Sequence, residues 1–571
     1  MGWILSQWDC PQHFVLDLHR VENAPPEVWT SWWRVIRYYG CRVNGFLAPP
    51  HECVLSRYVP RWMNCSPISS RQDSGRPIST LELFMSYASR VTSGGGPRRT
   101  EARHTAHSLR ASAAQAFNRL SAPAILVGSF LALIAIGTVG LMVLPGIYAG
   151  APLGLVDALF TITSAVCVTG LIVVDTATYF TFWGQLWILV FIQLGGLGLI
   201  TLTSIILGAT GHRVPLRTQM VTVAVPDGSK STRQVWQVAL EVTRFTLVAE
   251  LCGALVLMAC WWRHLSPGET VWHAVFHSIS AFCNAGFSTF SDSLVGWQGD
   301  PAVLLVVSSL IIFGGLGFFT VNELAFWWRS NRRRMGQRRL SSHTMSVLVT
   351  TTGLLAIGTV SFAIFEWNDA LGGLRAGDRI VNAWFMSVTA RTAGFNAVDY
   401  GALGNDAAFA TIMLMFVGGA PGSTAGGIKA TTLAVLVALA WSRFRGRRFV
   451  QFHKRGVPED TIERAVSLTL LAVVVLTVSI LVLNALHQTG IGHTAARADF
   501  LPIAFEAVSA LATVGLSMGM TAQLDDAGKI VLVLLMFIGR VGLFSFFAAM
   551  TSRQSQTPTR VRPAADDILI G

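Results

Sequence analysis

A pattern of three residues ending in glycine occurs four times in this chain of 571 residues, at intervals of 108 to 121 residues. The copies are Val168-Thr169-Gly170, Asn284-Ala285-Gly286, Thr392-Ala393-Gly394 and Thr513-Val514-Gly515. Each copy follows a short apolar segment that lies between two longer apolar runs. One such glycine would more often pack between helices. Four at matched positions indicate a repeated structural unit.

The composition indicates that these units lie in a membrane. Hydrophobic residues make up 52% of the chain and charged residues 13%, whereas soluble domains carry about 25% charged residues. Eight apolar runs are long enough to cross a bilayer, and four segments of about 14 residues reach only about 21 Å and must dip in and return. The sequence therefore predicts an all-α polytopic membrane protein with four tandem helix–pore-helix–helix repeats around a central pseudo-fourfold ion pore.

The units follow one another from residue 119 onward. We expect repeat 1 at 119–209, repeat 2 at 235–328, repeat 3 at 344–442, repeat 4 at 463–550 and a cytoplasmic tail at 551–571. The expected outer helices are 123–144, 235–262, 344–365 and 465–486. The short segments are 155–168, 269–283, 378–391 and 499–512, and the inner runs are 183–208, 302–328, 406–441 and 529–550.

The short segments have the features of pore helices. Ser266-Pro267-Gly268-Glu269 predicts a helix start with Ser266 as the N-cap and Glu269 completing a capping box. Asp378 and Asp499 are expected to cap two others. The carbonyl end of each helix then points into the membrane and favours a cation there.

The twelve residues of the repeated pattern are the candidate selectivity filter. Irregular backbone at membrane depth persists where it lines water or is buried in protein, and glycine reaches the backbone angles that aim successive carbonyls at one point. Rings of carbonyls from four loops can replace the hydration shell of an alkali cation. We expect the filter glycines to face a common axis.

The third inner run is about 36 residues long and is interrupted by Gly418-Gly419-Ala420-Pro421-Gly422-Ser423-Thr424-Ala425-Gly426-Gly427. Five glycines and a proline in ten residues do not form a continuous helix. A loop in the membrane beneath the filter would obstruct the pore and act as a gate; the alternative is a passive kink. The predicted gate residues are Gly418, Gly419, Gly422, Ser423, Thr424, Gly426, Gly427 and Lys429.

The inner runs share a second glycine pattern, and in repeat 4 an arginine replaces one of its glycines. Gly195-Gly196-Leu197-Gly198 and Gly314-Gly315-Leu316-Gly317 correspond to Gly539-Arg540-Val541-Gly542. A charge inside an apolar run normally faces a cavity or a partner. We expect Arg540 to place a positive charge in the cavity below the filter; the alternative is an arginine that snorkels or pairs with a carboxylate such as Glu506.

The basic residues orient the chain. They collect between the repeats, whereas many acidic residues fall in the other set of loops, so the positive-inside bias places the termini in the cytoplasm. The inter-repeat cations are Arg213, Arg217, Lys230, Arg233, Arg329, Arg332, Arg333, Arg334, Arg338, Arg339, Arg443, Arg445, Arg447, Arg448, Lys454 and Arg455. RNA binding through these runs is the disfavoured alternative for the net charge of +12.

Residues 1–118 form an N-terminal extension of unknown function, expected to be cytoplasmic or partly disordered. They show no signal-peptide pattern, and their four cysteines fit no zinc-finger spacing. A zinc site with His13 or His51 and a true start at Met85 are the alternatives.

The filter pattern, the interrupted third inner run, Arg391-Thr392-Ala393-Gly394-Phe395-Asn396 and the lone Arg540 resemble the Trk/Ktr/HKT superfamily of potassium transporters, most closely its KtrB subunits, over about residues 120–550. The resemblance implies potassium uptake across the cell membrane, with K+ held by the filter carbonyls. It also implies a homodimer and a cytosolic nucleotide-binding regulatory subunit of the KtrA or TrkA kind. Glycine at all four filter positions goes with potassium preference in the superfamily.

A second class of function stays open at this point: a membrane scaffold or sensor on a degenerate pore fold. The sequence also leaves open whether Na+ or protons are coupled to transport, and which nucleotide regulates it. It has no Walker loop, no His/Cys metal cluster and no Ser-His-Asp order, so we do not expect an enzyme or a cofactor.

Overall fold

The computed structural model describes residues 122–209, 232–332, 340–447, 449–452, 455–487 and 498–542. The predicted N-terminal extension and the C-terminal tail lie outside these residues. The repeat boundaries stay predictions, because the connections at 210–231, 333–339 and 488–497 also lie outside them.

Helices make up most of the described chain. In chain order they are α1 Ala122–Val143, α2 Leu155–Val166, α3 Phe182–Ala209, α4 Thr232–Trp261, α5 Pro267–Cys283, α6 Pro301–Leu316, α7 Phe318–Arg332, α8 Ser342–Phe365, α9 Ala376–Thr389, α10 Asn405–Phe416, α11 Ala430–Phe444, α12 Glu459–His487, α13 Phe500–Ala512 and α14 Asp526–Val541. One antiparallel hairpin pairs β1 Gln451–Phe452 with β2 Arg455–Gly456. Single helical turns lie at Thr176–Tyr179, Val295–Trp297, Tyr400–Ala402 and Thr521–Gln523.

The outer helices are the long apolar ones. Among the described residues, four helices are long and apolar enough to cross a membrane, namely α1, α4, α8 and α12, or five spans if the bent pair α6–α7 counts as one. Leu470 and Leu481 on α12 are 64% and 65% exposed. Large apolar side chains that are exposed on the outside of a helix are expected where lipid rather than water surrounds that helix.

Among the described residues, the expectation of a single span is wrong for one inner run. The run 302–328 is two helices that meet at an angle of 100°, because Gly317 between them has a φ of 77°. In repeat 4 the corresponding Gly542 ends α14 with a φ of 88°. Run 406–441 divides into α10 and α11, as its glycines predicted. By contrast, α3 continues through the same glycine pattern without a break.

The four short segments are buried helices, with differing starts. For α5 the predicted capping box is confirmed: the Glu269 carboxylate accepts hydrogen bonds from the backbone N–H of Ser266 at 3.3 Å and from its hydroxyl at 2.8 Å. The predicted cap at Asp378 is wrong, whereas Asp499 is the N-cap residue of α13, although its side chain makes no capping hydrogen bond. Helix α9 begins after Arg375, so Asp378 lies in its first turn. Asp499 flanks α13 but accepts from His487 instead, at 3.1 Å.

The short helices hold the described core together in a cyclic order. Helix α2 packs against α14, α5 against α3, α9 against α6 and α13 against α10, so each contacts an inner helix of the preceding repeat as well as helices of its own. On α13 every residue from Ile503 to Ala512 is buried. The ends of the four short helices therefore converge on one region.

Candidate ion site

The four pattern glycines form a closed ring. A Cβ built on Gly170, Gly286, Gly394 or Gly515 would lie 2.9 to 3.1 Å from the Cα of the next glycine in the order 170, 286, 394, 515 and back to 170. It would also lie 2.7 Å or less from a backbone oxygen of that neighbouring loop. Since ordinary van der Waals contact begins at 3.4 Å, none of these positions has room for a side chain.

The backbone of the four loops is alike at two positions. The ring glycines have φ angles of 97°, 71°, 81° and 96°, a region that favours glycine. Two residues earlier, Val168, Asn284, Thr392 and Thr513 also have positive φ, between 51° and 68°. Such angles cost a residue with a Cβ roughly 1–2 kcal/mol. The loops keep this strained shape because the buried end of a short helix fixes the residues just before each of them.

Hydroxyl groups of the short helices fix the loops in two ways. In repeats 1 and 4 the ring glycine donates its N–H to a serine six residues earlier, Gly170 to Ser164 and Gly515 to Ser509, both at 3.0 Å. In repeats 2 and 3, Ser280 and Thr389 donate instead to the carbonyl of the residue after the glycine, both at 2.8 Å. Each loop is thus attached to its own short helix.

Three hydroxyls at the ring are buried without a protein partner. The Oγ1 atoms of Thr169, Thr392 and Thr513 have no hydrogen-bond partner among the described residues, although all three side chains are at most 1% exposed. Buried polar groups are normally paired. These oxygens and the loop carbonyls are therefore available to a cation that has lost its water.

The inner glycine pattern lets the inner helices approach the ends of the short helices. A Cβ on Gly195, Gly314 or Gly539 would fall well within 3.0 Å of the carbonyl oxygen four residues before the ring glycine of the same repeat. In repeat 3 the corresponding Gly418 faces the carbonyl of Gly426 instead. The interrupted run of repeat 3 therefore takes a different path beside the ring.

Residues 418–429, predicted as a gate, form a loop held at its base and along one inner helix. The N–H of Gly418 donates to Ile428 O at 2.9 Å, and Val417 and Ile428 form a parallel bridge, so the two ends of the loop lie side by side. The N–H groups of Ala420 and Thr424 donate to the carbonyls of Gly315 and Gly314 in α6. The segment is thus a loop whose two ends pair with each other, between helices α10 and α11.

The same loop touches three of the four ring segments. The Thr424 hydroxyl lies 3.2 Å from Phe282 O and 3.1 Å from Asn284 Oδ1. Arg391 donates from Nη2 to Gly418 O at 2.9 Å. Gly426 lies against Thr513, where an added Cβ would collide with the hydroxyl. The loop therefore lies directly against the ring.

Besides Arg391, two further cations bind backbone carbonyls of this loop. Lys429 donates from Nζ to Ala425 O at 2.7 Å. Arg540 donates from Nη1 to Thr424 O and from Nη2 to Gly195 O, so it joins the loop to α3. Glu506 is not a partner of Arg540; its carboxylate accepts from Ser517 and Thr521. Arg540 is 8% exposed and points into protein carbonyls, a contact that the sequence did not predict.

Two other polar contacts were also missed. Arg391 belongs to a motif noted in the sequence, but only the folded chain shows that it reaches Gly418. Glu250 in α4 is 4% exposed and accepts from Gln193 of α3 at 3.1 Å. A carboxylate in an apolar run is the signal that could have identified it.

Comparisons with known proteins show what the chain is similar to. The model of the TrkH family, described as cation transport proteins, matches residues 102–556. The Ktr system potassium uptake proteins B of Vibrio alginolyticus and Bacillus subtilis are each 36% identical to the chain. They cover 79% and 76% of it, and 95% of their own lengths is matched.

A third relative and one solved structure extend the comparison. The potassium/sodium uptake protein NtpJ of Enterococcus hirae is 32% identical over 79% of this chain and 98% of its own. The crystal structure of the potassium transporter TrkH from Vibrio parahaemolyticus matches with a TM-score of 0.58 at 17% identity, over 75% of this chain and 84% of that one. The chain belongs to the TrkH family of cation transport proteins.

Proposed function

We propose that this protein takes up potassium ions across the cell membrane through the glycine ring, as the pore-forming subunit of a Ktr- or Trk-type system. The observation that carries the proposal is the closed ring of Gly170, Gly286, Gly394 and Gly515, beside which three hydroxyls have no partner in the described part of the chain. The printed functions of the relatives supply the ion: potassium for the Ktr proteins, and potassium with sodium for NtpJ.

The twelve pattern residues would bind K+ through backbone carbonyls. Four short helices end at the ring, so the partial negative charges of their carbonyl ends add at one place. Four loops with the same unusual backbone angles can surround a cation with oxygens in place of its hydration shell. A backbone carbonyl does not depend on the side chain of its residue. Different side chains, those of Val168, Asn284 and Thr392, can therefore occupy the first position of the pattern.

Residues 418–429 would act as the gate. The loop lies against the ring segments of repeats 2, 3 and 4 and is held there by Arg391 and Arg540. Opening requires these carbonyl contacts to exchange for others, a local rearrangement of the kind that limits many transport and catalytic cycles. Arg540 would set the stability of the closed loop as well as place a positive charge near the ion path.

We propose that the chain works as a homodimer with a cytosolic nucleotide-binding subunit. The Ktr relatives are named as parts of a system, and the basic inter-repeat loops would offer that subunit a cytoplasmic surface. Among those cations the structure describes the side chains of Arg329, Arg443, Arg445, Arg447 and Arg455. Na+ stays open as a coupling or activating ion.

The test is potassium-dependent growth. The chain, expressed with a Ktr-type regulatory subunit in a strain that lacks potassium uptake, should restore growth at low potassium. Purified protein in liposomes should carry K+ down an imposed gradient in preference to Na+. A chain that reaches the membrane but neither restores growth nor carries K+ would contradict the proposal and favour the scaffold alternative.

A further inference from the structure

Two of the four short helices carry a buried ionisable side chain nine residues before the ring glycine. These residues are His277 in α5 and Glu506 in α13, and both are 0% exposed. The segment just after the ring contains a serine two residues after the glycine in the same two repeats, Ser288 and Ser517. The polar residue and the serine meet in both cases.

In repeat 4 the Glu506 carboxylate binds the segment that follows the ring. Ser517 donates its hydroxyl to one carboxylate oxygen, and Thr521 donates to the other at 2.6 Å. The Ser517 hydroxyl in turn accepts the N–H of Gly519 at 2.9 Å. The two carboxylate oxygens therefore fix this segment at two points, Ser517 and Thr521.

In repeat 2 the imidazole of His277 takes the place of the carboxylate. Its Nδ1 lies 2.8 Å from His273 O, which makes Nδ1 the donor and leaves Nε2 as the acceptor. Ser288 then donates to Nε2 at 2.9 Å. Ser288 also accepts the N–H of Phe290 at 2.9 Å. In both repeats, therefore, a serine hydroxyl donates to the buried side chain of the short helix and accepts the backbone N–H of the residue two positions later.

The other two repeats lack this connection among the described residues. At the corresponding positions repeat 1 has Thr161, which bonds to Asp157 O in its own helix, and Ile172. Repeat 3 has Phe385, which carries no hydrogen-bonding group, before the glycine. In the ring order 170, 286, 394, 515, repeats 2 and 4 lie opposite each other. The connections therefore form a pair across the ring.

We propose that His277 and Glu506 are positioning residues for ion selectivity. Through Ser288 and Ser517 they fix the backbone just after Gly286 and Gly515, and so hold two opposite sides of the ring at a set separation. This inference rests on the proposed potassium transport by the ring. Selectivity depends on how closely the oxygens can approach a smaller ion, so loosening either connection lets the ring contract around Na+.

The test compares ion preference in proteoliposomes. Ser517→Ala and Ser288→Ala each remove one hydroxyl, while the bond between Glu506 and Thr521 remains in the first. Thr161→Val is the control, because it removes a hydroxyl at the helix position that His277 and Glu506 occupy, in a repeat without the connection. K+ and Na+ uptake are measured under equal imposed gradients, and thermal unfolding of the purified variants checks that each is folded.

Each serine variant should lower the K+/Na+ preference about fivefold, which is the factor that corresponds to the net free energy of one hydrogen bond. K+ uptake should continue. Thr161→Val should keep the preference of the unaltered protein. Glu506→Gln should lower it as well, and adding Ser517→Ala to that variant should cause little further loss, because both changes break one connection.

K+ uptake with an unaltered preference in both serine variants would overturn this inference but not the proposed function. An equal loss of preference in Thr161→Val would do the same. A fully additive loss in the double variant would also contradict it. Absence of K+ uptake by the unaltered protein would overturn the proposed function, and this inference with it.

Discussion

Replacing Gly286 by serine should damage one quarter of the ring. The new Cβ would lie 2.7 Å from Ala393 O and 2.9 Å from the Cα of Gly394. Ordinary contact begins at 3.4 Å, so the oxygen must retreat by about 0.7 Å, the difference between these two distances. The φ of 71° adds strain, because a residue with a Cβ pays roughly 1–2 kcal/mol there.

The steric contact moves the Ala393 carbonyl, which is one of the proposed ion ligands, and the strain shifts the backbone of residue 286 itself. A change of 1.4 kcal/mol in ion binding corresponds to about a tenfold change in affinity. We therefore expect Gly286→Ser to lower the preference for K+ over Na+ by about tenfold, with some K+ transport retained because three loops are unchanged.

The assay is the ratio of K+ to Na+ flux in proteoliposomes with equal gradients. Gly128→Ser is the matched control, since Gly128 lies on an exposed face of α1 with nothing within 4 Å of an added Cβ. An unchanged ratio in Gly286→Ser, at a K+ flux similar to that of the control, would refute the assignment of this loop as a filter.

Three further changes test the gate and the helix start. Arg540→Ala removes the bonds to Thr424 O and Gly195 O, so the rate of K+ flux should rise several-fold with less effect on K+/Na+ preference; a change in preference alone would contradict this role. Shortening 418–427 by several residues should also raise the flux, and a folded variant with unchanged flux would make the loop a passive element. Ser266→Ala should lower the thermal unfolding temperature of the purified protein by a few degrees, because it removes the hydroxyl contact to Glu269; an equal loss in Gly268→Ala would show that the capping box is not responsible.

Much of the fold follows from residues that act locally. The apolar runs placed the outer helices to within a few residues, except at the start of α12, because length and hydropathy alone decide whether a helix spans lipid. The capping box at Ser266 and the break at 418–427 were predicted for the same reason: the chemistry of neighbouring residues determines both.

Features that depend on distant contacts were not predictable. The bend at Gly317 and the continuous helix at Gly195–Gly198 share one sequence pattern, and the packing around each decides which occurs. Arg540 could be recognised as a buried charge, but its partners are backbone carbonyls 116 and 345 residues away in sequence. Carbonyls are present at every residue, so no side-chain pattern marks the ones that a cation will bind.

The residues with left-handed backbone angles two positions before the ring glycines are Val168, Asn284, Thr392 and Thr513. Each of them and the residue that follows it form a pair of side chains, and the four pairs all differ. A pore assembled from identical subunits receives every mutation four times over. In this single chain a mutation in one codon changes one side of the ring, so the four sides can change independently. A harmful change on one side leaves the other three loops intact.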